Sequence, residues 1–99
     1  MVETISVNVI EARVSQRRGG GFTGFLFIHY DSPDVIELSK RIREKETHDT
    51  LVMTRISDGA EFVAKNIFFT QEKSHFEPNT RFPKDWHRYE FICDSFTQS

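Results

Sequence analysis

The stretch Leu51-Val-Met-Thr-Arg-Ile-Ser-Asp58-Gly59-Ala-Glu-Phe-Val-Ala-Lys-Asn-Ile-Phe-Phe69 decides how this chain folds. Two runs of branched and aromatic residues flank Asp58-Gly59, a pair that tolerates the positive φ angles of a two-residue type I′ turn. The spacing predicts a hairpin with Ile56 opposite Glu61, Thr54 opposite Val63 and Met53 opposite Ala64. Side chains alternate between the two faces of a strand. One face then carries Leu51, Met53, Phe62, Ala64 and Phe68, and the other Val52, Thr54, Ile56, Val63 and Ile67. Both are more apolar than a solvated sheet surface should be.

Towards the N-terminus, residues 4–15 read as a strand in which Ile5, Val7 and Val9 alternate with polar neighbours. Ile10, Ala12 and Val14 continue the alternation one residue out of phase, which predicts a bulge or sharp twist near Val9-Ile10. Gln16-Arg-Arg-Gly-Gly-Gly21 breaks that strand, and Phe22 to Tyr30 forms the next, dense in aromatics. Ser32-Pro33-Asp34 is a helix start: a capping hydroxyl, a proline at the first helical position and an acid at the positive end of the dipole. Val35, Leu38 and Ile42 recur at helical spacing over about residues 33–46, while Glu37, Lys40, Arg41, Arg43 and Glu44 cover the other side. Residues 71–85 read as a long connection, Trp86 to Cys93 as a last strand, and Asp94 to Ser99 as a fraying tail.

The expected fold is therefore α+β in the order ββαβββ. One domain spans residues 1–99, and a bent, mostly antiparallel sheet carries a single amphipathic helix. Composition agrees: 10 Phe, 2 Tyr and 1 Trp stand in 99 residues, with few of the straight-chain apolar residues that favour helices. No apolar run approaches the roughly 20 residues of a membrane span. The opening Met1-Val-Glu-Thr lacks the basic leader and apolar block of a secretory signal, and the 1 Cys can form no internal disulfide. The expectation is a cytoplasmic protein outside the membrane. A formal charge of -2 argues against strong global attraction to nucleic acid or anionic lipid.

One helix and five strands leave too little cover for two apolar faces, and contiguous exposed patches mark interaction surfaces. The expected function is thus a small non-enzymatic interaction protein, a homodimer that also binds a protein partner. Its expected interface is Val52, Thr54, Ile56, Val63 and Ile67. A long loop or a second layer, as in a small barrel, is the competing way to bury this face.

Two other sites compete with it. The basic Gly-rich tip offers Arg17 and Arg18 to a nucleic-acid backbone and Phe22 to a base, with Arg81 and Lys84 as further cations. The texture of Gly21 to Tyr30 resembles one RNA-contacting strand of cold-shock domains. Those domains carry two separated motifs on neighbouring strands and this chain one compressed stretch, so no function is carried over. Alternatively, a pocket under the 71–85 loop, lined by Phe76, Phe82, Trp86 and His87, would hold a small molecule. No catalytic set, metal ligand set or cofactor is expected. His87 and Cys93 stand about 20 Å apart along their strand, too far to share an ion, and His75-Phe-Glu77 lacks the spacing of zinc motifs.

Overall fold

A computed structural model describes residues 4–44, 49–75 and 86–98. The phase slip near Val9 is a corner between two strands. β1 (Thr4–Val9) and β2 (Glu11–Gln16) are halves of one chain segment, bent at Ile10. Then come β3 (Phe22–His29), α1 (Asp34–Glu44), β4 (Asp49–Arg55), β5 (Glu61–His75), β6 (Trp86–Cys93) and β7 (Ser95–Gln98). The sheet order is β1-β4-β5-β6-β3-β2, with β7 added beside β5. Its two end strands are thus the two halves of the bent segment, so the sheet curls round on itself. At the seam the Ile10 amide donates to the Phe27 carbonyl at 2.7 Å and the Ile56 amide to the Val9 carbonyl at 2.9 Å. Among the described strands only β1 with β4 is parallel.

The α+β class and the bent, mostly antiparallel sheet stand. The element order gains a strand at each end, because residues 4–16 split at Ile10 and the tail pairs as β7 instead of fraying. Residues 71–75 are likewise strand, as the last part of β5 pairs with β6 from Gln71↔Glu90 to His75↔Trp86. Polar side chains hid this from the sequence; the partner strand supplies the order that local pattern does not. The helix ends its described course at Glu44.

Curling gives the sheet an inside, filled by Val7, Val9, Leu26, Ile28, Leu51, Met53, Ala64, Tyr89 and Phe91, each 3% exposed or less. Leu38 of the helix is fully buried against this core, with Val35 and Ile42 packed alongside. Ser32 Oγ accepts from the Asp34 amide at 3.2 Å, as the capping pattern implies. Asp34 in turn accepts from the Asn8 amide of β1 at 3.1 Å, tying the helix start to the edge of the sheet. Arg41, expected on the wet side of the helix, is buried at 7%. Glu37 one turn earlier accepts from its Nε at 3.0 Å and from its Nη2 at 2.9 Å.

The 51–69 hairpin forms, with the predicted faces up to Lys65 but a register displaced by two residues: Met53 faces Phe62 and Thr54 faces Glu61. A type I′ turn needs positive φ at both central residues. Here only Gly59 has it, at +73°, and the loop closes wider, with the Arg55 amide on the Ala60 carbonyl at 2.8 Å. The Asp58 carboxylate braces the loop, accepting from the Ala60 amide at 3.0 Å and from Arg55 Nη2 at 2.6 Å. The hydrogen bond from Arg55 holds the Asp58 carboxyl down to about 2.

A second change matters more. Asn66 sits at φ +53°, and the pairing jumps there from Thr50↔Lys65 to Asp49↔Ile67. That bulge flips the alternation as far as Phe69, where a second register shift before Gln71 reverses it. Ile67, expected on the interface face, is 1% exposed inside the core, and Phe69 is inside at 5%. Phe68 moves to the outside opposite Ile92. The corner is pinned by Asn66 Nδ2 donating to Asp94 Oδ2 at 2.8 Å and by the Asp94 amide on the Lys65 carbonyl at 3.0 Å. Asn is among the few side chains at ease with positive φ; a β-branched residue is not. Replacing Asn66 by Val should cost about 2–4 kcal/mol of strain plus lost hydrogen bond. Asn66→Gly should stay within about 1 kcal/mol of the native chain. Urea unfolding of the two variants measures the difference; equal losses would refute the strain account.

Candidate functional site

With Ile67 inside, the proposed interface thins. Val52, Thr54 and Val63 are half-buried on the outer face of β4 and β5, and Ile56 is 54% exposed in the loop. In register, Val52 and Val63 lie between Ser6 of β1 and Thr97 of β7, and Thr54 between Asn8 and Glu61. This outer row is mostly small and polar, so the apolar excess read from the sequence is largely consumed by the curled interior.

A second apolar surface lies on the outer face of β2, β3 and β6. Because antiparallel partners share a face, register sets its rows. Arg13, Phe25 and Glu90 stand side by side across β2, β3 and β6, and Glu11, Phe27 and Arg88 form the next row. His29 and Trp86 continue beyond them. Phe25 and Phe27 meet edge to face at 5.4 Å, and Phe27 meets Trp86 in the same way at 5.1 Å. The Arg88 guanidinium lies over the Phe25 ring at 5.8 Å and reaches Glu90 at 3.2 Å. Glu11 accepts from Arg55 at 3.1 Å. Phe25, Phe27 and Trp86 are all half-buried, so their remaining surface faces outward. A cleft of about 410 Å³ opens along this face beside Arg13, Phe25 and Glu90.

A second cleft of about 390 Å³ lies under the Gly-rich tip, between Arg17 and Gly21 on one side and Asn66 and Asp94 on the other, with Phe68 and Ile92 beneath. Arg17 and Arg18 are exposed on the tip, where nucleic acid would need them. Phe22 is not. It is half-buried, pairs with Cys93 on the inward row and packs on the core, so less of its ring is open to a base than the sequence suggests. Arg81 and Lys84 lie outside the described residues.

Of the residues expected to line a pocket under residues 71–85, Trp86 and His87 are described. Trp86 and His87 are successive residues of β6 and point to opposite faces, Trp86 to Phe27 and His87 to Tyr30, with which it stacks at 4.8 Å and 16°. One pocket therefore cannot be walled by both. Phe76 and Phe82 lie outside the described residues.

His87 belongs instead to a polar cluster where the helix meets the sheet. Ser39 Oγ donates to Glu72 Oε2 at 3.0 Å and lies 3.1 Å from the Tyr89 hydroxyl, which therefore donates to Ser39. His87 Nδ1 stands 3.8 Å from Glu72 Oε1. A nucleophilic serine needs its base within hydrogen-bond reach. Ser39 spends its proton on Glu72, so the cluster is a brace between α1, β5 and β6. Burial pushes the Tyr89 hydroxyl up to about 12 and the Cys93 thiol up to about 11, which keeps both protonated and the thiol unreactive at neutral pH. Among the described residues no group of three His, Cys, Asp or Glu side chains is placed to hold a metal ion. Among them, too, no helix is long and apolar enough to cross a membrane.

The rows Arg13–Phe25–Glu90 and Glu11–Phe27–Arg88 escaped the sequence reading. Periodicity places residues on a face, but only knowledge of which strands are neighbours places them beside one another. Comparison with protein-family models, with curated proteins and with solved structures gives no match.

Proposed function

We propose that this chain is a non-enzymatic interaction module that self-associates through the outer face of β2, β3 and β6 and presents the resulting dimer to a protein partner. The observation that carries this reading is the edge-to-face chain Phe25–Phe27–Trp86, flanked by arginines, on the outside of a sheet whose inside is already full. Interface cores are enriched in aromatic residues and arginine, and a few such side chains supply most of the binding energy. Homodimers are the commonest oligomers and need a surface complementary to itself.

Two observations favour a protein over single-stranded nucleic acid as the occupant. Arg88 lies over the face of Phe25, and the aromatic neighbours meet nearly at right angles, at 77° and 85°. Bases stack on open ring faces, which this arrangement does not line up. The overall charge of -2 also gives no long-range attraction to phosphate.

Light scattering on a sizing column should give a mass twice the 11.6 kDa of one chain at micromolar concentration. Phe27→Ser should return the mass to that of a monomer, and Val52→Ser with Ile56→Ser should leave the dimer intact. A native chain that stays monomeric at high micromolar concentration overturns the proposal. Dissociation by the Val52 and Ile56 pair alone would move the interface to β4 and β5.

A further inference from the structure

The outer face carries its charges in a checkerboard, and this specifies how a second copy would sit. Across β2, β3 and β6 one row runs positive, aromatic, negative (Arg13, Phe25, Glu90), and the next runs negative, aromatic, positive (Glu11, Phe27, Arg88). Neighbouring strands lie about 4.8 Å apart, so the two charges of a row flank the aromatic column by about that distance on either side. A half-turn about an axis along β3 exchanges the two flanks. It sets Arg13 of each copy against Glu90 of the other and Glu11 of each against Arg88 of the other, while Phe25 and Phe27 form the shared apolar centre.

We infer that the chain forms an isologous dimer with its two-fold axis along β3, held in register by reciprocal Arg13–Glu90 pairs, with Glu11 of each copy facing Arg88 of the other. This rests on the self-association proposed above and names its geometry. An in-plane axis across the strands would also match opposite charges, by setting Arg13 against Glu11. Glu11, however, already accepts from Arg55 Nη1 at 3.1 Å and from the Ala12 amide at 3.1 Å. Glu90 has one ion pair, to Arg88 at 3.2 Å, and a side chain 35% exposed. It is the better-placed acceptor for the exposed Arg13. Along the seam the charges then alternate without a break, from Arg13 of one copy through Glu90 and Arg88 to Glu11 of the first again. Such ordering fixes register and rejects wrong partners more than it adds affinity.

Charge reversal tests the geometry. Arg13→Glu alone sets two acids against each other, and Glu90→Arg alone sets two arginines against each other. Each should weaken self-association, followed by sedimentation equilibrium, by at least about tenfold. An equimolar mixture of the two variants places opposite charges together again and should form a heterodimer within about threefold of the native affinity. Thermal melts should confirm that Arg13→Glu, at an exposed side chain, leaves the fold intact. If both single variants dimerise like the native chain, or the mixture fails to recover, the axis along β3 is wrong while self-association stands. Rescue of Arg13→Glu by Glu11→Arg in place of Glu90→Arg would assign the other axis. A native chain that is monomeric removes the underlying reading itself.

Discussion

Gly24→Ala should unfold this protein more readily by about 3 kcal/mol or more, although it adds only one methyl group. Gly24 is buried on the inward row of β3, paired with Val14 of β2 on one side and Phe91 of β6 on the other. A Cβ built there would lie 2.4 Å from the Arg13 carbonyl oxygen and 2.6 Å from Val14 Cγ1. The Val14 side chain has rotamers to try, but the Arg13 carbonyl is fixed in the β2–β3 ladder. β2 would have to lift away from β3, and the ladder with it. Domains of this size are stable by about 5–15 kcal/mol, so the loss is a large share. At about 4–8 °C per kcal/mol, the melting temperature should fall by about 12–24 °C. Val14→Ala in the same chain removes one of the two clashes and should recover part of the loss. Gly20→Ala is the comparison: nothing lies within 4 Å, but a φ of +111° is one that side chains rarely adopt, so backbone strain alone, about 1–3 kcal/mol, is at stake. A Gly24→Ala chain that melts with the native one would mean β2 does not lie flat on β3. Because β2 also carries Arg13, lifting it should weaken self-association in the same variant.

That position shows where sequence reasoning reaches and where it stops. A glycine inside an aromatic strand points to a bulge or a close backbone approach; the pattern cannot say to which strand. The slip at Val9-Ile10 and the helix start at Ser32-Pro33-Asp34 were legible because both are local: one is a change of phase, the other a cap and a dipole. The Asp58-Gly59 turn was legible as a turn. Its register was not, because a carboxylate bound by Arg55 and the Ala60 amide widened the loop by two residues. Asn66 is the instructive miss. A lone Asn in an otherwise apolar strand is itself a bulge signal, since its side chain tolerates positive φ, and overlooking it put Ile67 on the wrong face. The bulge exchanges Ile67 for Phe68 between the two faces, and the curling of the sheet, which no local pattern states, takes up most of the remaining apolar surplus. The aromatic-and-charge rows that replace it depend on β2, β3 and β6 being neighbours, a fact of topology that no spacing within one strand contains.

Phe91→Ala should cost about 3–5 kcal/mol, the usual range for emptying a buried aromatic site. Phe91 is fully buried and meets the Phe69 ring edge to face at 6.2 Å and 78°. How much of the cost is recovered depends on whether the walls can collapse, and here they cannot. Across the ladder on one side stands Gly24, which has no side chain to swing inward. Two residues along the strand, Tyr89 is fully buried and tied through its hydroxyl to Ser39 at 3.1 Å. The bulges at Asn66 and between Phe69 and Gln71 fix the backbone of β5 on the remaining side. Phe91→Leu keeps most of the volume and should lose no more than about 1.5 kcal/mol. Ile92→Ala, one residue on but half-buried on the outer face, should lose about 1 kcal/mol. Urea unfolding of the three variants separates them. A Phe91→Ala chain no less stable than Ile92→Ala would mean that the inside and outside of β6 have been exchanged. Trp86, Arg88 and Glu90 would then be core, and the recognition face drawn on them would not exist.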